Sequence, residues 1–331
     1  DFYYSPPSGF LACCTANLPN PGIDPAIGNT PEDNFNTVLY SGNNGSQSVT
    51  GVGFSPNWVW LKRRNDANGH KIYDTIRGVG INLNIASSAE ASSANGYFTS
   101  FDSDGFSLAG GDNAHNTSGG TYVAWNWLAG GTASSNSNGS ITSSVSANTK
   151  AGFSIVSYTG NQTAGATVGH GLSKAPEVII AKNRDSTTNW MVYHAQNTTA
   201  PETEYLGLNL TQATFDTIAI WNDTAPTSSV FSIGSGNPVN ASSDKIIAYC
   251  FHSVDGYSKF GSYSGNGSTD GPYVHTGFRV AWLMIKRTDS TGGWSILDDV
   301  RASNTNPIDR RLQANDTDAE ESAGVNIDFN S

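Results

Sequence analysis

Two stretches set a carboxylate three residues ahead of a guanidinium at the end of an apolar run: Tyr73-Asp74-Thr75-Ile76-Arg77 and Leu297-Asp298-Asp299-Val300-Arg301. That spacing can close a local ion pair. It could also supply an acid for hydrolysis, if a second carboxylate faced the first. A third stretch, Tyr193-His194-Ala195-Gln196-Asn197, holds the same place in the surrounding pattern with both charges gone. Joint loss is the behaviour of an ion pair, and no copy offers a matched second acid. The expectation is therefore a pair of local salt bridges, Asp74 with Arg77 and Asp298 with Arg301.

Other chemistry-bearing residues fall short of a site in the same way. Asp102-Ser103-Asp104-Gly105 opens like a calcium loop, but the downstream bidentate Glu is missing, so it reads as a turn entering a strand. His70, His115, His170, His194, His252 and His275 show no ligand spacing. No Gly-x-Ser-x-Gly elbow, His-Glu-x-x-His helix, Walker loop or dinucleotide fingerprint occurs. Catalytic residues, cofactors and metal ligands are all expected to be none. Cys13, Cys14 and Cys250 form neither an even disulfide framework nor a metal motif, and Cys250 is expected as a buried free thiol. Lys62, Lys182 and Lys286 each end an apolar run, where a lysine can take a ligand carboxylate or reach solvent past its own stem; the second is expected. The remaining candidate for ligand contact is Trp221-Asn222-Asp223, an aromatic in a polar loop whose neighbours suit sugar stacking with hydroxyl hydrogen bonds.

The elements that carry these residues recur three times. Tyr40-Ser41-Gly42-Asn43, Tyr158-Thr159-Gly160-Asn161 and Tyr263-Ser264-Gly265-Asn266 each lead through a Gly step to an apolar strand ending in Lys62, Lys182 or Lys286. From Tyr to Lys the spans are 22, 24 and 23 positions. Such near-constant spacing means one structural unit used repeatedly. A second strand follows each lysine. Copies one and two then close alike, with Tyr122-Val123-Ala124-Trp125-Asn126-Trp127 against Ile246-Ile247-Ala248-Tyr249-Cys250-Phe251. The third copy reaches Ser331 without a closing strand, which predicts an open sheet edge. With Asp1 as the first residue, and Met191 and Met284 the only methionines, the sequence reads as a segment of a larger polypeptide.

Hydrophobic residues make up 37% of the chain and aromatics 11%. Helical periodicity is nearly absent; Ala86 to Ala94 supports at most a short loop helix. Trp58-Val59-Trp60-Leu61, Val178 to Ala181 and Trp282 to Ile285 leave no polar face, so each should be covered on both sides. The fold class expected is all-β, tandem antiparallel sandwiches of jelly-roll or concanavalin type. The expected boundaries are 1–36 (the end of a preceding domain plus linker), 37–139, 140–256 and an incomplete 257–331. The formal net charge of −11 repels phosphate backbones and anionic lipid, so nucleic-acid and membrane partners are not expected. The longest apolar run, Ala281 to Ile285, is far short of the roughly 20 residues a membrane helix needs.

The stretches Gly53-Phe54-Ser55-Pro56-Asn57-Trp58-Val59-Trp60-Leu61-Lys62-Arg63-Arg64, Phe101 to Phe106, Ala151 to Gly160 and Phe260 to Gly267 resemble a repeat of tailed-bacteriophage virion appendage proteins. Tyr4-Ser5-Pro6-Pro7-Ser8-Gly9-Phe10-Leu11-Ala12 is similar to the last strand of a SPRY-type sandwich. The resemblance implies a phage tail fibre, spike or other appendage. Without a catalytic motif, the expectation is a non-enzymatic virion protein that meets other virion proteins and a host cell-surface glycan; the alternatives are a capsid decoration or tail accessory protein, a polysaccharide depolymerase and a bacterial surface adhesin. The resemblance carries over no functional residues. Modules of about 100 residues bury proportionally little surface, so packing against identical copies is expected, most simply as a homotrimer.

Overall fold

The apolar run Trp58 to Leu61 becomes the central strand of the first repeat in the computed structural model. The structure describes residues 22–86, 88–92, 96–303 and 305–330, and these are nearly all β. The first repeat contains β1 (Phe35–Ser41), β2 (Gln47–Thr50), β3 (Trp58–Arg63), β4 (Lys71–Asp74), β5 (Ile81–Asn84), β6 (Ala91–Ser92), β7 (Phe98–Asp102), β8 (Gly105–Leu108) and β9 (Thr121–Trp127). Its main sheet runs β1-β9-β3-β4-β5-β6, antiparallel throughout, and a small sheet β2-β8-β7 covers one face. The closing strand β9 is central, paired with β1 on one edge and β3 on the other.

The second repeat follows the same plan. It has β10 (Ser134–Asn136), β11 (Ser143–Asn148), β12 (Phe153–Thr159), β13 (Ala166–Gly169), β14 (Val178–Asn183), β15 (Met191–His194), β16 (Glu204–Gly207), β17 (Phe215–Asp216), β18 (Val230–Ile233) and β19 (Lys245–Phe251). Its main sheet is β10-β11-β12-β19-β14-β15-β16-β17, with β13-β18 as the covering pair. The β10 strand falls before residue 140 yet belongs to this second sheet, so the first module ends earlier than the sequence suggested. The third repeat is one sheet in the order β20 (Trp282–Lys286), β21 (Trp294–Asp298), β22 (Ile308–Gln313) and β23 (Glu321–Ile327). Two four-residue helices, α1 (Ile218–Trp221) and α2 (Asn237–Asn240), lie in the second repeat. In Ala86 to Ala94 the described residues contain the short β6 and no helix.

Strand alternation separates two kinds of core. Val59, Leu61, Tyr73 and Ala124 face the first repeat's own small sheet with Phe98 and Phe106. Ile179, Ala181, Met191, Ala248 and Cys250 do the same in the second repeat, while in the third Leu297 and Ile308 cluster with Ala302 and Phe329. The opposite faces, which carry Trp58, Trp60 and Trp125, then Ile180, Val192 and Tyr249, then Trp294, Ile296 and Leu312, meet in one common core. Each main sheet is therefore covered on one side by its own repeat and on the other by the other two. The double coverage read from the sequence is present for Trp58 to Leu61 and Val178 to Ala181, with the neighbouring repeats as the second layer, whereas Trp282 to Ile285 are only half-buried. Trp58 sits at the centre, its ring 4.3 Å from Trp127 and 4.5 Å from Tyr249, with Phe153 at 5.6 Å.

Candidate functional site

The interior polar residues assemble where the three repeats meet. Asp74 accepts from Arg77 Nε at 2.6 Å, and Asp298 from Arg301 Nε at 2.6 Å, with all four side chains fully buried. Both expected ion pairs exist, deeper than a local surface pair would lie. Each carboxylate also caps the loop that follows, accepting from the backbone N–H of Arg77 or Arg301. Each is bound, too, by an aromatic donor from a different repeat. Tyr249 O–H donates to Asp74 Oδ2 at 2.7 Å, and Trp125 Nε1–H donates to Asp298 Oδ2 at 3.0 Å. These donors are equivalent positions of the closing strands β19 and β9. Burial alone would lower the Arg77 pKa; the Asp74 carboxylate and Tyr249 outweigh it and hold the group above its ordinary value. Burial, then the adjacent Asp74, push the Tyr249 hydroxyl far up, so it remains a donor.

Around this centre the contacts repeat cyclically. Trp190 Nε1–H donates to the Asn84 carbonyl, Trp294 Nε1–H to the Gly207 carbonyl and His70 Nε2–H to the Gln313 carbonyl, at 2.9, 2.8 and 2.9 Å. Second repeat thus reaches first, third reaches second and first reaches third. His70 can play the role of an indole because Trp60 Nε1–H donates to its Nδ1 at 2.7 Å, leaving the proton on Nε2. Burial drives its pKa down to about 3, so the ring is neutral. A second ring of backbone bonds joins the same repeats with the donors running the opposite way: Glu90 N–H to Arg184 O, Thr214 N–H to Thr288 O and Glu320 N–H to Arg64 O, at 2.7, 2.9 and 2.7 Å. Two of these three places add ion pairs, Arg184 with Glu90 at 2.8 Å and Arg64 with Glu320 at 2.8 Å. The chain is a pseudo-threefold assembly built from itself.

Lys62 and Lys182 occupy equivalent ends of β3 and β14. Both are fully buried and do not reach solvent as the sequence suggested. On alternating strands the lysine falls on the common-core face, where Lys62 Nζ donates to the carbonyls of Thr317 and Asp318 in the third repeat. Lys182 Nζ donates to the Thr188 carbonyl at 2.7 Å. Burial lowers both ammonium groups to about pKa 8.

One relay of catalytic appearance escaped the sequence reading. Tyr73 O–H lies 2.6 Å from His115 Nε2, and His115 Nδ1 lies 2.5 Å from Asp112 Oδ1. Tyr73 is fully buried and stacked on Phe98 at 4.3 Å, so no substrate can reach its oxygen. The relay pins the 112–116 loop to the sheet.

Trp221 corrects the ligand-binding expectation. Thr217 caps the short helix α1 and turns Ile220 and Trp221 inward; Trp221 is 2% exposed, edge-on to Tyr193 in the second repeat's private core. A ring so placed cannot stack on a sugar. Asn222 and Asp223 remain at the surface with positive φ, as a helix-ending turn. The Asp102–Gly105 stretch is the β7–β8 turn, where Asp104 accepts from Gly51 and Gly53 N–H. Gly105 has φ 141°, and a Cβ there would lie 2.0 Å from the Val49 carbonyl oxygen, so glycine is required. Among the described residues no His/Cys/Asp/Glu group of three could hold a metal. Cys250 is a buried free thiol whose pKa burial pushes up. Cys13, Cys14 and the opening SPRY-like stretch lie outside the described residues.

Two open depressions remain on the surface. One, about 420 Å³, is lined by the hydroxyls of Ser135, Thr142, Ser144, Ser157 and Thr159 with Lys245 beside them. The other, about 500 Å³, lies beside Arg64, Arg301, Arg310 and Glu320. Tyr158 is the one aromatic residue of the first lining, and its ring belongs to the second repeat's buried core; the second lining has none.

Fold and junctions together define an all-β protein whose three repeats form an internal pseudo-trimer. Residues 30–331 match the family described as "Domain of unknown function (DUF7483)", and the chain belongs to that family. No curated protein and no solved structure matches it. Among the described residues no helix is long and apolar enough to cross a membrane.

Proposed function

We propose that this chain is a non-enzymatic structural module of a tailed-bacteriophage virion, of tail-fibre or spike type, that presents polar loops and depressions to a host-surface glycan. The observation that supports it best is the use made of the interior chemistry. Asp74, Asp298, Arg77, Arg301, Lys62 and His70 all bind repeat to repeat or loop to strand, and the result is a rigid array with its hydroxyl-rich surfaces outward. Several weak sites on such an array add avidity without new contacts. The family resemblance of the repeat stretches supplies the virion context.

A second reading, a capsid decoration or tail accessory module, is favoured by one observation. The homotrimer expectation rested on modules of about 100 residues burying too little surface by themselves, and here the three repeats share one core inside a single chain. Three repeats packed on one core can be held on a particle without other copies. Gold-labelled antibody raised against the chain tests both: label on tail appendages supports the first, label over the capsid the second, and unlabelled particles defeat both. Release of new reducing ends from host polysaccharide by the purified protein would defeat the non-enzymatic assignment.

A further inference from the structure

The common-core face of the second sheet continues past the edge of that core. Phe153 and Ile155 of β12, with Ile247 and Tyr249 of β19, enter the common core. Strand alternation carries the same face on to Ser157 and Thr159 of β12 and to Lys245 at the start of β19. Thr159 stands opposite Lys245, Ser157 opposite Ser144, and Ser144 opposite Ser135. Three adjacent strands, β10, β11 and β12, thus present a floor of hydroxyls spaced by roughly 4.8 Å from strand to strand, and Thr142 completes it. This floor is the open depression of about 420 Å³, a size within the roughly 300–1,000 Å³ of small-ligand sites.

The polar groups of this floor are not spent on the protein itself. Among the described residues, the hydroxyls of Ser135, Thr142, Ser144, Ser157 and Thr159 make no hydrogen bond, and the Lys245 ammonium makes neither a hydrogen bond nor an ion pair. Hydroxyls elsewhere on the surface are engaged locally, as in Ser48 with Ser107, Ser100 with Asp102 and Ser186 with Asp244. No carboxylate lines the depression, although the chain has 28 acidic residues against 17 basic ones. The other lining cation, Arg184, is paired with Glu90 at 2.8 Å, so Lys245 supplies the one free charge. Asp185 accepts from the Lys245 backbone N–H at 2.6 Å and stands outside the lining. The second depression has no such free cation, because Arg64 and Arg301 are both paired with Glu320 and Arg310 lies 3.6 Å from Asp309.

We infer, resting on the proposed role in glycan recognition, that this depression binds a segment of a carboxylated polysaccharide. Each hydroxyl both donates and accepts, so it meets a sugar hydroxyl in either sense. Lys245 takes the sugar carboxylate through a charge-assisted hydrogen bond. The paired strands hold the hydroxyls at fixed spacing, so little side-chain ordering is lost on binding. One free cation among five hydroxyls suits a sparsely charged polyol. It does not suit a nucleic acid, whose affinity comes from several phosphate contacts at once.

The test titrates the 331-residue chain with oligomers of polygalacturonate, alginate and polysialate, and with carboxyl-reduced forms of the same oligomers. At least one carboxylated oligomer should bind, and its reduced form should bind about tenfold more weakly, the loss expected for a hydrogen bond to a charged group. Lys245→Gln should weaken the carboxylated oligomer by about the same factor and leave the reduced form unchanged. Ser144→Ala combined with Ser157→Ala should weaken both forms roughly fivefold. Arg310→Gln, in the other depression, should change neither, and unchanged urea midpoints show that the variants fold. Binding of a carboxylated oligomer that survives both lining variants would overturn the inference and leave glycan recognition standing, with the glycan seated elsewhere. Equal binding of carboxylated and reduced forms, or binding of no oligomer, would overturn it as well. The virion assignment is decided separately, by the gold labelling.

Discussion

The first two repeats and the third are built from one pattern, yet their central strands have different environments. Trp58 and Trp60 on β3 lie in the common core at no more than 2% exposure, while Trp282 and Met284 at the matching positions of β20 are only packed against its margin. The flanking strands of the third repeat match well, since Trp294, Ile296 and Leu312 all enter the common core. The difference therefore lies at the edge of β20, which pairs with β21 on one side and with no described strand on the other. An apolar strand gains its full burial only when both of its edges are paired.

Truncation should expose that contrast most strongly. Trp58→Ala removes a ring that touches first- and second-repeat aromatics at once, and should cost about 3–5 kcal/mol in urea unfolding. Trp282→Ala should cost roughly half as much, because its ring is only partly removed from water. Equal losses would mean that the third repeat is as tightly closed as the other two.

The junction residues separate the repeats next. Asp74→Asn leaves Arg77 buried without its close counter-charge, since Glu90 is 3.9 Å away, and should cost about 3–5 kcal/mol. His194→Ala, at the matching position of the second repeat, should cost under about 1 kcal/mol, as measured by the same urea transitions. A large effect at His194 would mean that this junction is as tightly bonded as the other two.

Much of this organisation was legible in the sequence, and the limits have physical causes. The repeat spacing, the strands ending at Lys62, Lys182 and Lys286, the two Asp–Arg pairs and the Asp102–Gly105 turn are all local patterns, and all appear. The meeting of three sheets on Trp58 was not legible. Apolar residues on both faces of a strand say that two layers cover it, and they do not say which layers. The same gap hid the burial of Lys62, because its acceptors, Thr317 and Asp318, lie in another repeat. Trp221 misled for a different reason. Its neighbours are polar, but a single helical turn is enough to point an isolated ring inward, and a loop reading has no periodicity to reveal it.

A smaller effect follows from the buried lysines. The folded-state pKa of Lys62 and Lys182 is about 8, below the roughly 10.4 of an unfolded chain. Between those values the unfolded chain binds more protons, so stability should rise with pH from about 8 towards 10. The Cys250 thiol, pushed up by burial, opposes this from roughly pH 8.5, where an unfolded thiol ionises, but as one group against two lysines; Tyr193, pushed up to about 12 by burial, adds to the opposition only above about pH 10. Urea midpoints at pH 7.5 and 9.5 should show the rise, and Lys62→Met with Lys182→Met should flatten it. The smallest effect is expected at the surface turn: Asn222→Ala and Asp223→Ala should each shift stability by less than about 1 kcal/mol.

The central claim is that three repeats share one core and stand or fall together. Native-state hydrogen exchange across increasing denaturant tests it directly, by following the amides of β3, β14 and β21, one central strand from each repeat. The three sets should merge into a single unfolding isotherm before the global transition. Three separate isotherms, each repeat opening at its own denaturant concentration, would contradict it.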